Sequence, residues 1–271
     1  MLDRIVTTVI ALLKDDRKKE IIENQTTRVE VDFEIASGKR EFRKVVHDIQ
    51  NLMLETMEKD SNNPDLKSSK YIELGAGVIP MSKLDSRIKS TDIVPTEHLN
   101  GVLDATNLDI EDSTVSGFFL QNTFHHIPDP NAFFCETSRV LIPGGRIVIL
   151  DPYFNRLSKL LYPRLFKTED FDMKGIWDGA NQHAMIGANQ ALSYIVFVRD
   201  RQYFNSMFPD LSIVQKLPVC FGLRYILTGG LNFRKLAPDF IFKVIRRLER
   251  FPWLFHFFAI HWIIVVEKRP D

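Results

Sequence analysis

A short apolar segment ends in a carboxylate and two glycines. Glu73, Gly75 and Gly77 lie in the stretch YIELGAG. Closely spaced glycines let the backbone turn sharply after a strand and approach a ligand at the N-terminus of the next helix. Ordinary strand–helix connections also use glycine, so the turn alone is weak evidence. Its meaning depends on the residues that follow it.

Two further carboxylates have the spacing expected of a nucleotide site. Asp92 lies 19 residues beyond Glu73, at the end of a second predicted strand, where an acid can accept hydrogen bonds from ribose hydroxyls. Asp104 and Ala105 end a third predicted strand. An acid at that position can accept from an adenine amino group. Because parallel strands end at one edge of a sheet, these three strand ends are expected to lie side by side.

Two residues discriminate between nucleotide ligands. The dinucleotide-binding pattern needs Gly or Ala at its sixth position, which Pro80 occupies here. A carboxylate at Glu73 would repel a pyrophosphate, whereas it suits a ligand that carries an ammonium and a sulfonium. The pattern therefore favours S-adenosylmethionine and leaves a nicotinamide cofactor as a weaker alternative.

The elements that must position these residues begin at residue 70, where short apolar strands alternate with helices. This alternation predicts βαβ units in an α/β fold, with a Rossmann-like, doubly wound, mostly parallel seven-stranded sheet. The predicted strands lie at 70–74, 90–94, 101–105, 115–123, 145–152, 211–217 and 261–268. Helices are predicted at 131–141 and at 238–250.

Four segments follow from this pattern. Residues 1–69 form a helical cap, 70–153 the ligand-binding core and 154–192 an aperiodic helical insertion that serves as a lid. Residues 193–271 add the closing strands of the same sheet and a basic amphipathic helix. The first residues of the cap are predicted to form an amphipathic helix, because these side chains share one face: Leu2, Ile5, Val6, Val9 and Leu13.

The segment from Tyr71 to Pro152 resembles the class I S-adenosylmethionine-dependent methyltransferases, especially the broad type 11 family. The matching stretches are ELGAG at 73–77, the acid at 92, DA at 104–105, QNTFHHIPDP at 121–130 and LIPGGRIVILDP at 141–152. One departure is visible, because Ile79 replaces the third glycine that is common in the family's first motif. The resemblance implies a methyltransferase with S-adenosylmethionine as its cofactor.

The resemblance also assigns cofactor contacts. It places Glu73, Gly75 and Gly77 around the methionine part, Asp92 at the ribose, Asp104 and Ala105 at the adenine, and Gln121 near the methionine or sulfonium.

Two adjacent histidines are candidates for a general base. His125 and His126 follow the fourth predicted strand, close to where the methyl group should emerge. An oxygen acceptor would benefit from a base, and a neutral imidazole suits that task. The histidines could instead pack or orient the loop. Further candidates in or beside the insertion are Asp151, Tyr153, Trp177, Asp178 and His183.

The second half of the chain is expected to select the acceptor. Residues 1–150 carry 18 basic and 24 acidic side chains, residues 151–271 carry 17 and 11, and 14 of the 21 Phe follow residue 150. A hydroxyl on a sugar, glycolipid or related metabolite is the predicted acceptor, in line with polysaccharide biosynthesis. A prenylated or aromatic small molecule, and a non-catalytic S-adenosylmethionine-binding module, are the alternatives. Residues 238–262 suggest peripheral contact with an anionic membrane or a lipid-linked substrate.

Composition excludes several other classes. With 35 basic and 35 acidic side chains the chain lacks the basic excess of a general nucleic-acid binder. Cys135 and Cys220 are isolated, so neither a disulfide framework nor a metal site is predicted. The apolar run from Phe251 to Val266 is shorter than the roughly 20 residues of a membrane span. A cytoplasmic location is the default expectation.

Overall fold

A computed structural model describes residues 25–59, 69–156, 158–159, 162, 169–177, 188–251 and 258–270. Its sheet has seven strands in the order β3-β2-β1-β4-β5-β7-β6. The strands are β1 Tyr71–Leu74, β2 Ile88–Asp92, β3 Gly101–Val102, β4 Val115–Gln121, β5 Leu141–Pro152, β6 Leu211–Val219 and β7 His261–Lys268. All neighbouring pairs are parallel except those that β7 makes with β5 and β6. The predicted doubly wound, mostly parallel sheet is confirmed.

The central strands are apolar along their whole length because both faces of the sheet are covered. On β4, Phe118 belongs to one core cluster and its neighbour Phe119 to the opposite one. On β5, Ile147 and Val148 divide between the two clusters in the same way. Successive side chains of a strand point to opposite faces, so each strand supplies two cores at once, as expected in a parallel sheet.

Seven α-helices are described. They are α1 Gln25–Gly38, α2 Arg40–Glu58, α3 Pro130–Val140, α4 Leu192–Tyr194, α5 Arg201–Met207, α6 Gly222–Thr228 and α7 Asp239–Leu248. The buried face of α2 repeats every four residues, with Val45, Ile49, Met53 and Met57, and packs on the sheet. The predicted amphipathic helix at the very start of the chain lies outside the described residues.

Several strand boundaries differ from the predictions. Strand β2 begins two residues early, at Ile88, and β3 contains just Gly101 and Val102. Strand β5 begins four residues early, at Leu141, because Leu141 pairs with Val115 across an irregular register. Much of the predicted insertion at 154–192 lies outside the described residues, although Asp170 and Asn189 form a parallel bridge within it.

The predicted basic helix is present as α7, but its orientation was not predicted. Phe242 and Ile245 are buried, whereas three apolar side chains at four-residue spacing face outwards: Phe240, Val244 and Leu248. We call these three residues the α7 stripe. Arg246 on this helix donates to Asp48 on α2 over 2.9 Å. No described helix is both long enough and apolar enough to cross a membrane.

Candidate functional site

A cavity of about 300 Å³ opens at the carboxyl ends of β1, β2 and β4. Six predicted cofactor residues line it: Gly75, Gly77, Asp92, Asp104, Ala105 and Gln121. The predicted convergence of three strand ends is therefore present. Strand order explains it, because β1 lies between β2 and β4 and β3 follows β2 at the same edge.

The turn after β1 needs both of its glycines. Gly75 has a φ of +67° and Gly77 a φ of +56°, a region that side chains other than glycine rarely adopt. A Cβ on Gly75 would lie 2.2 Å from Cγ2 of Thr123, whose hydroxyl donates to the Gly75 carbonyl over 2.9 Å. A Cβ on Gly77 would meet no atom within 4 Å. The turn thus holds Gly75 tightly and leaves open space for a ligand beside Gly77.

The Asp92 carboxylate shapes this turn as well as facing the cavity. Its Oδ2 accepts from the Gly77 amide over 3.1 Å, and its Oδ1 accepts from the Val94 amide over 3.0 Å. A carboxylate offers about four acceptor sites, so it retains capacity for ribose hydroxyls. His98 contacts the Gly77 carbonyl through Nε2 at 2.8 Å and so also helps to hold the turn after β1.

The two other polar wall residues are also held in place. Asp104 Oδ1 accepts from the amide and the hydroxyl of Thr106, over 2.8 and 2.7 Å. Gln121 Oε1 accepts from Gln50 Nε2 over 3.1 Å, and the same Nε2 donates to the Ile79 carbonyl over 2.7 Å. Sequence reasoning missed Gln50, a fully buried residue of α2. A polar residue on the apolar face of a helix was the available signal.

Glu73 does not line the cavity. Its side chain is fully buried, and its Oε2 accepts from the Met81 amide over 2.8 Å and from the Ser90 hydroxyl. Burial raises the pKa of Glu73 to about 8, although both hydrogen bonds oppose this shift. The direct contact with the methionine part implied by the resemblance has no support in this placement. Glu73 instead ties β1 to β2 and to the short helix that begins at Met81.

Helices close the other side of the cavity. α1 contributes Val29 and Asp32, α2 contributes Phe42, and α6 contributes Tyr225. Asp32 is 7% exposed and Val29 is 8% exposed. Sequence reasoning assigned this region to a cap without naming a site residue in it. The cavity thus combines a turn-and-strand wall with a helical wall of mixed polarity.

The two predicted histidines lie in a polar cluster beside the cavity. We call His125, His126, Asp151 and Glu169 the histidine–carboxylate cluster. His125 is buried, with Nδ1 2.6 Å from Asp151 Oδ1 and Nε2 3.7 Å from Glu169 Oε2. His126 lines the cavity, with Nε2 3.9 Å from Glu169 Oε1. Sequence reasoning missed Glu169 because the segment around it has no periodic pattern.

The environment of His125 does not suit the neutral base predicted from the sequence. Burial lowers the pKa of His125, but the charges and hydrogen bonds of Asp151 and Glu169 outweigh it and raise that pKa to about 10. The two carboxylates therefore favour the protonated form of the imidazole, which opposes a role as a neutral base. His126, which lies on the cavity wall, remains the predicted base.

The other candidate residues are placed as follows. Asp151 belongs to the cluster, and Tyr153 packs on Phe154 near Trp262. Trp177 is buried against Phe134 and donates through Nε1 to Asp200 over 3.0 Å. Asp178 and His183 lie outside the described residues. Tyr153 and Trp177 thus have packing roles in the structure.

The strand order and the glycine turn define a Rossmann-like fold of the class I methyltransferase type. Residues 44–149 match the family described as a methyltransferase domain, type 11. Residues 44–149 therefore form a methyltransferase domain, and S-adenosylmethionine is its cofactor. No curated protein sequence matches the chain.

Solved structures with a similar fold are distant in sequence. Phosphoethanolamine N-methyltransferase 2 of Haemonchus contortus is 10% identical, with a TM-score of 0.43, over 83% of this chain and 53% of that one. This chain thus spans about half the length of that enzyme. Geranyl diphosphate C-methyltransferase of Streptomyces coelicolor is 11% identical, with a TM-score of 0.47, over 82% and 76%. The YcgJ protein of Bacillus subtilis is 14% identical, with a TM-score of 0.41, over 83% and 99%.

Proposed function

We propose that the enzyme methylates a hydroxyl of a sugar, glycolipid or related metabolite, which fits a role in polysaccharide biosynthesis. The polar groups on the walls away from the glycine turn carry this proposal. Asp32, His126 and Tyr225 all line the same cavity as the cofactor turn. Carboxylate, imidazole and phenol groups can bind acceptor hydroxyls by donating or accepting hydrogen bonds.

The residues present fit the cofactor. Open space at Gly77, the acceptor capacity of Asp92 and Asp104, and the amide of Gln121 match a ligand with an amino acid end, a ribose and an adenine. When bound, the cofactor supplies a methyl group on a positively charged sulfur. The chain's part is to hold the acceptor oxygen in line with that methyl group and to exclude water, which can supply most of the acceleration. His126, on the cavity wall, is the group that we propose takes the hydroxyl proton.

A prenylated or aromatic small molecule is the second candidate acceptor. Val29, Phe42, Val46 and Leu231 line the cavity and offer an apolar surface to such a molecule. Parallel assays with sugar and prenyl acceptors would separate the two acceptor classes. If the protein binds S-adenosylmethionine and turns over neither class, the non-catalytic module becomes the better explanation.

The first test is calorimetric titration with S-adenosylmethionine, with NADH as the comparison ligand. We expect one binding site for S-adenosylmethionine and none for NADH. Asp92→Asn should weaken binding by about tenfold or more, because hydrogen bonds to a charged acceptor are worth about 1.5–3 kcal/mol. Asp109→Asn, an exposed carboxylate outside the cavity lining, is the matched control. Folded protein that binds no S-adenosylmethionine would rule out the proposal.

We also propose peripheral contact between α7 and an anionic membrane surface, at the cytoplasmic face. The α7 stripe is apolar and exposed, and Lys243 and Arg247 are exposed on the adjoining face of the helix. An apolar stripe flanked by cations is the pattern of a helix that lies in the interface of an anionic bilayer.

Sedimentation with lipid vesicles tests the membrane contact. Vesicles of phosphatidylcholine containing phosphatidylglycerol should bind the protein at low salt, and pure phosphatidylcholine should bind it less. Replacing Phe240 and Leu248 with Ser should reduce the bound fraction severalfold. Val214→Ser, an exposed apolar residue of β6, is the control. Equal binding by the stripe variant, or no binding to anionic vesicles, would refute the proposal.

A further inference from the structure

We propose that His125, His126 and Glu169 form a binding site for a divalent transition-metal ion of the Zn²⁺ class, beside the methyl-transfer cavity. The proposal concerns the same cluster in which the sequence predicted a base and no metal. It rests on the geometry of three ligand atoms, on the hydrogen bonds behind them and on the chemistry of the donor set.

The three ligand atoms are already close enough to surround one ion. One ring nitrogen from each histidine and one oxygen of Glu169 all lie within 4.8 Å of one another. The separation is 3.7 Å from His125 Nε2 to Glu169 Oε2 and 3.9 Å from His126 Nε2 to Glu169 Oε1. Two ligands at about 2.1 Å from a tetrahedral ion lie about 3.4 Å apart. Small side-chain rotations would therefore complete the site.

The residues behind the ligands have the arrangement of an outer metal shell. His125 Nδ1 contacts Asp151 Oδ1 at 2.6 Å, so the ring presents Nε2 towards Glu169. A histidine ligand commonly binds the ion through one nitrogen while the other donates to a carboxylate. Gln190 Nε2 donates to Glu169 Oε2 and orients that carboxylate in turn. Asp151 and Gln190 are both buried, which fixes these orientations.

The charge around the cluster also favours a cation. Asp151 and Glu169 are two buried or mostly buried carboxylates, and among the described residues neither contacts a Lys or Arg. Their charged contacts are with the histidines alone in that part of the chain. A divalent ion would displace the proton from His125 Nε2 and place its own positive charge between the carboxylates, and a bound ion is often the largest charge of such a site.

The donor set selects the class of ion. Two imidazole nitrogens with one carboxylate oxygen suit Zn²⁺ and neighbouring divalent transition metals, whereas Mg²⁺ and Ca²⁺ prefer oxygen ligands. Three protein ligands leave a fourth position for water or substrate, as in catalytic rather than structural zinc sites. Because His126 lines the cavity, that position suits an acceptor oxygen. With the ion bound, His126 would be a ligand, and the charge of the ion would replace it as the group that promotes loss of the hydroxyl proton. This last role, unlike the site itself, rests on the proposed function.

Titration of the chelator-treated protein with Zn²⁺ tests the site. We expect one ion per chain, and Co²⁺ in its place should give the visible absorption of a tetrahedral mixed nitrogen–oxygen site. Glu169→Gln and His126→Asn should each weaken Zn²⁺ binding by at least about tenfold. Asp151→Asn should weaken it by roughly 10–100-fold, as losses of outer partners do. Thermal melts verify that each variant folds.

Matched substitutions complete the experiment. Glu41→Gln and His47→Asn, both on α2 and outside the cluster, should bind Zn²⁺ like the unchanged protein. Absence of a stoichiometric site, or unchanged affinity in both Glu169→Gln and His126→Asn, would overturn the proposal. S-adenosylmethionine titration of the same samples keeps the two proposals separate, because the three metal ligands are not among the predicted cofactor residues.

Discussion

Gly75 shows how closely the turn after β1 is fitted. We expect Gly75→Ala to cost about 1–3 kcal/mol of stability and to weaken S-adenosylmethionine binding at least tenfold. The new Cβ would combine a φ of +67° with a 2.2 Å approach to Thr123, so the turn must move. Gly38→Ala, where a Cβ meets no atom within 4 Å, is the control and should be neutral or slightly stabilising. Urea unfolding and calorimetry measure the two effects.

Glu73 should make the protein less stable as the pH rises. Its pKa is about 8 in the folded chain against 4.5 for the free side chain, so between these values the folded state binds a proton that the unfolded state has lost. Stability falls with pH wherever the folded state binds more protons. Glu73→Gln removes this pH-dependent contribution. The stability of the variant relative to the unchanged protein should therefore increase from pH 5 to pH 8. The increase is on the order of 1 kcal/mol per pH unit.

Urea unfolding at pH 5, 6.5 and 8 measures this difference. Glu30→Gln, an exposed residue of α1, is the matched control and should follow the unchanged protein. Curves for Glu73→Gln that run parallel to those of the unchanged protein would contradict the burial argument. Calorimetric titration of the same variant with S-adenosylmethionine shows whether Glu73 contacts the cofactor. A direct contact with the cofactor ammonium predicts a large loss of affinity. A role limited to joining β1 and β2 predicts a small loss.

At the scale of elements, one buried arginine joins α2 to the sheet. Arg146 on β5 donates to Glu267 on β7 over 2.7 Å and to the carbonyls of Met57 and Lys59 at the end of α2, over 3.1 and 2.6 Å. Arg146→Met should cost about 3–5 kcal/mol, because it leaves a largely buried carboxylate without its partner. Arg87→Met, at a more exposed pair with Asp85 and Glu58, should cost about 1 kcal/mol or less.

Denaturant unfolding compares the two arginine variants under the same conditions. Equal losses of stability in the two variants would show that burial of the Arg146–Glu267 pair does not determine its contribution to the free energy of unfolding. Arg146→Lys keeps the charge but loses the fork of donors, so we expect an intermediate loss.

The sequence predicted the strands and helices well where apolar residues recur at regular spacing. The seven strands follow from local apolar patterns that depend on nearby residues alone. The orientation of α7 could not be predicted in this way. Phe240, Val244 and Leu248 share one face with the pattern of a buried stripe, but Phe242 and Ile245 are the residues that pack. Burial of these two side chains depends on residues far away in the chain, as does the contact of Arg246 with Asp48.

The cofactor side of the site was similarly accessible from the sequence, because its residues occupy consecutive strand ends. The fully buried position of Glu73 could not be predicted from the sequence, because a strand-end carboxylate can turn towards a ligand or towards the next strand. Glu169 was missed for another reason. It reaches His125 from an aperiodic segment, and no local sequence pattern predicts a contact between separate parts of the chain.

At the scale of the whole molecule, the cavity joins the cap to the sheet. Cofactor bound at the strand ends should therefore slow amide exchange in α1, which lines the opposite wall through Val29 and Asp32. Saturation at about 100 times Kd should add about 2.7 kcal/mol of stability. Hydrogen exchange with and without S-adenosylmethionine measures the effect, and α5, which contributes no residue to the cavity, is the internal reference. Equal protection of α1 and α5 would contradict this coupling.

The position of β7 affects how the protein is made. This strand pairs with β5 on one side and β6 on the other, yet it follows both in the chain. On the ribosome, residues 211–219 emerge well before residues 261–268. Until β7 has been synthesised, β6 has no pairing partner and one edge of β5 is unpaired. Unpaired edges invite association with other chains. Slow translation through this interval should therefore favour aggregation of nascent chains, and chaperones that shield strand edges should raise the yield.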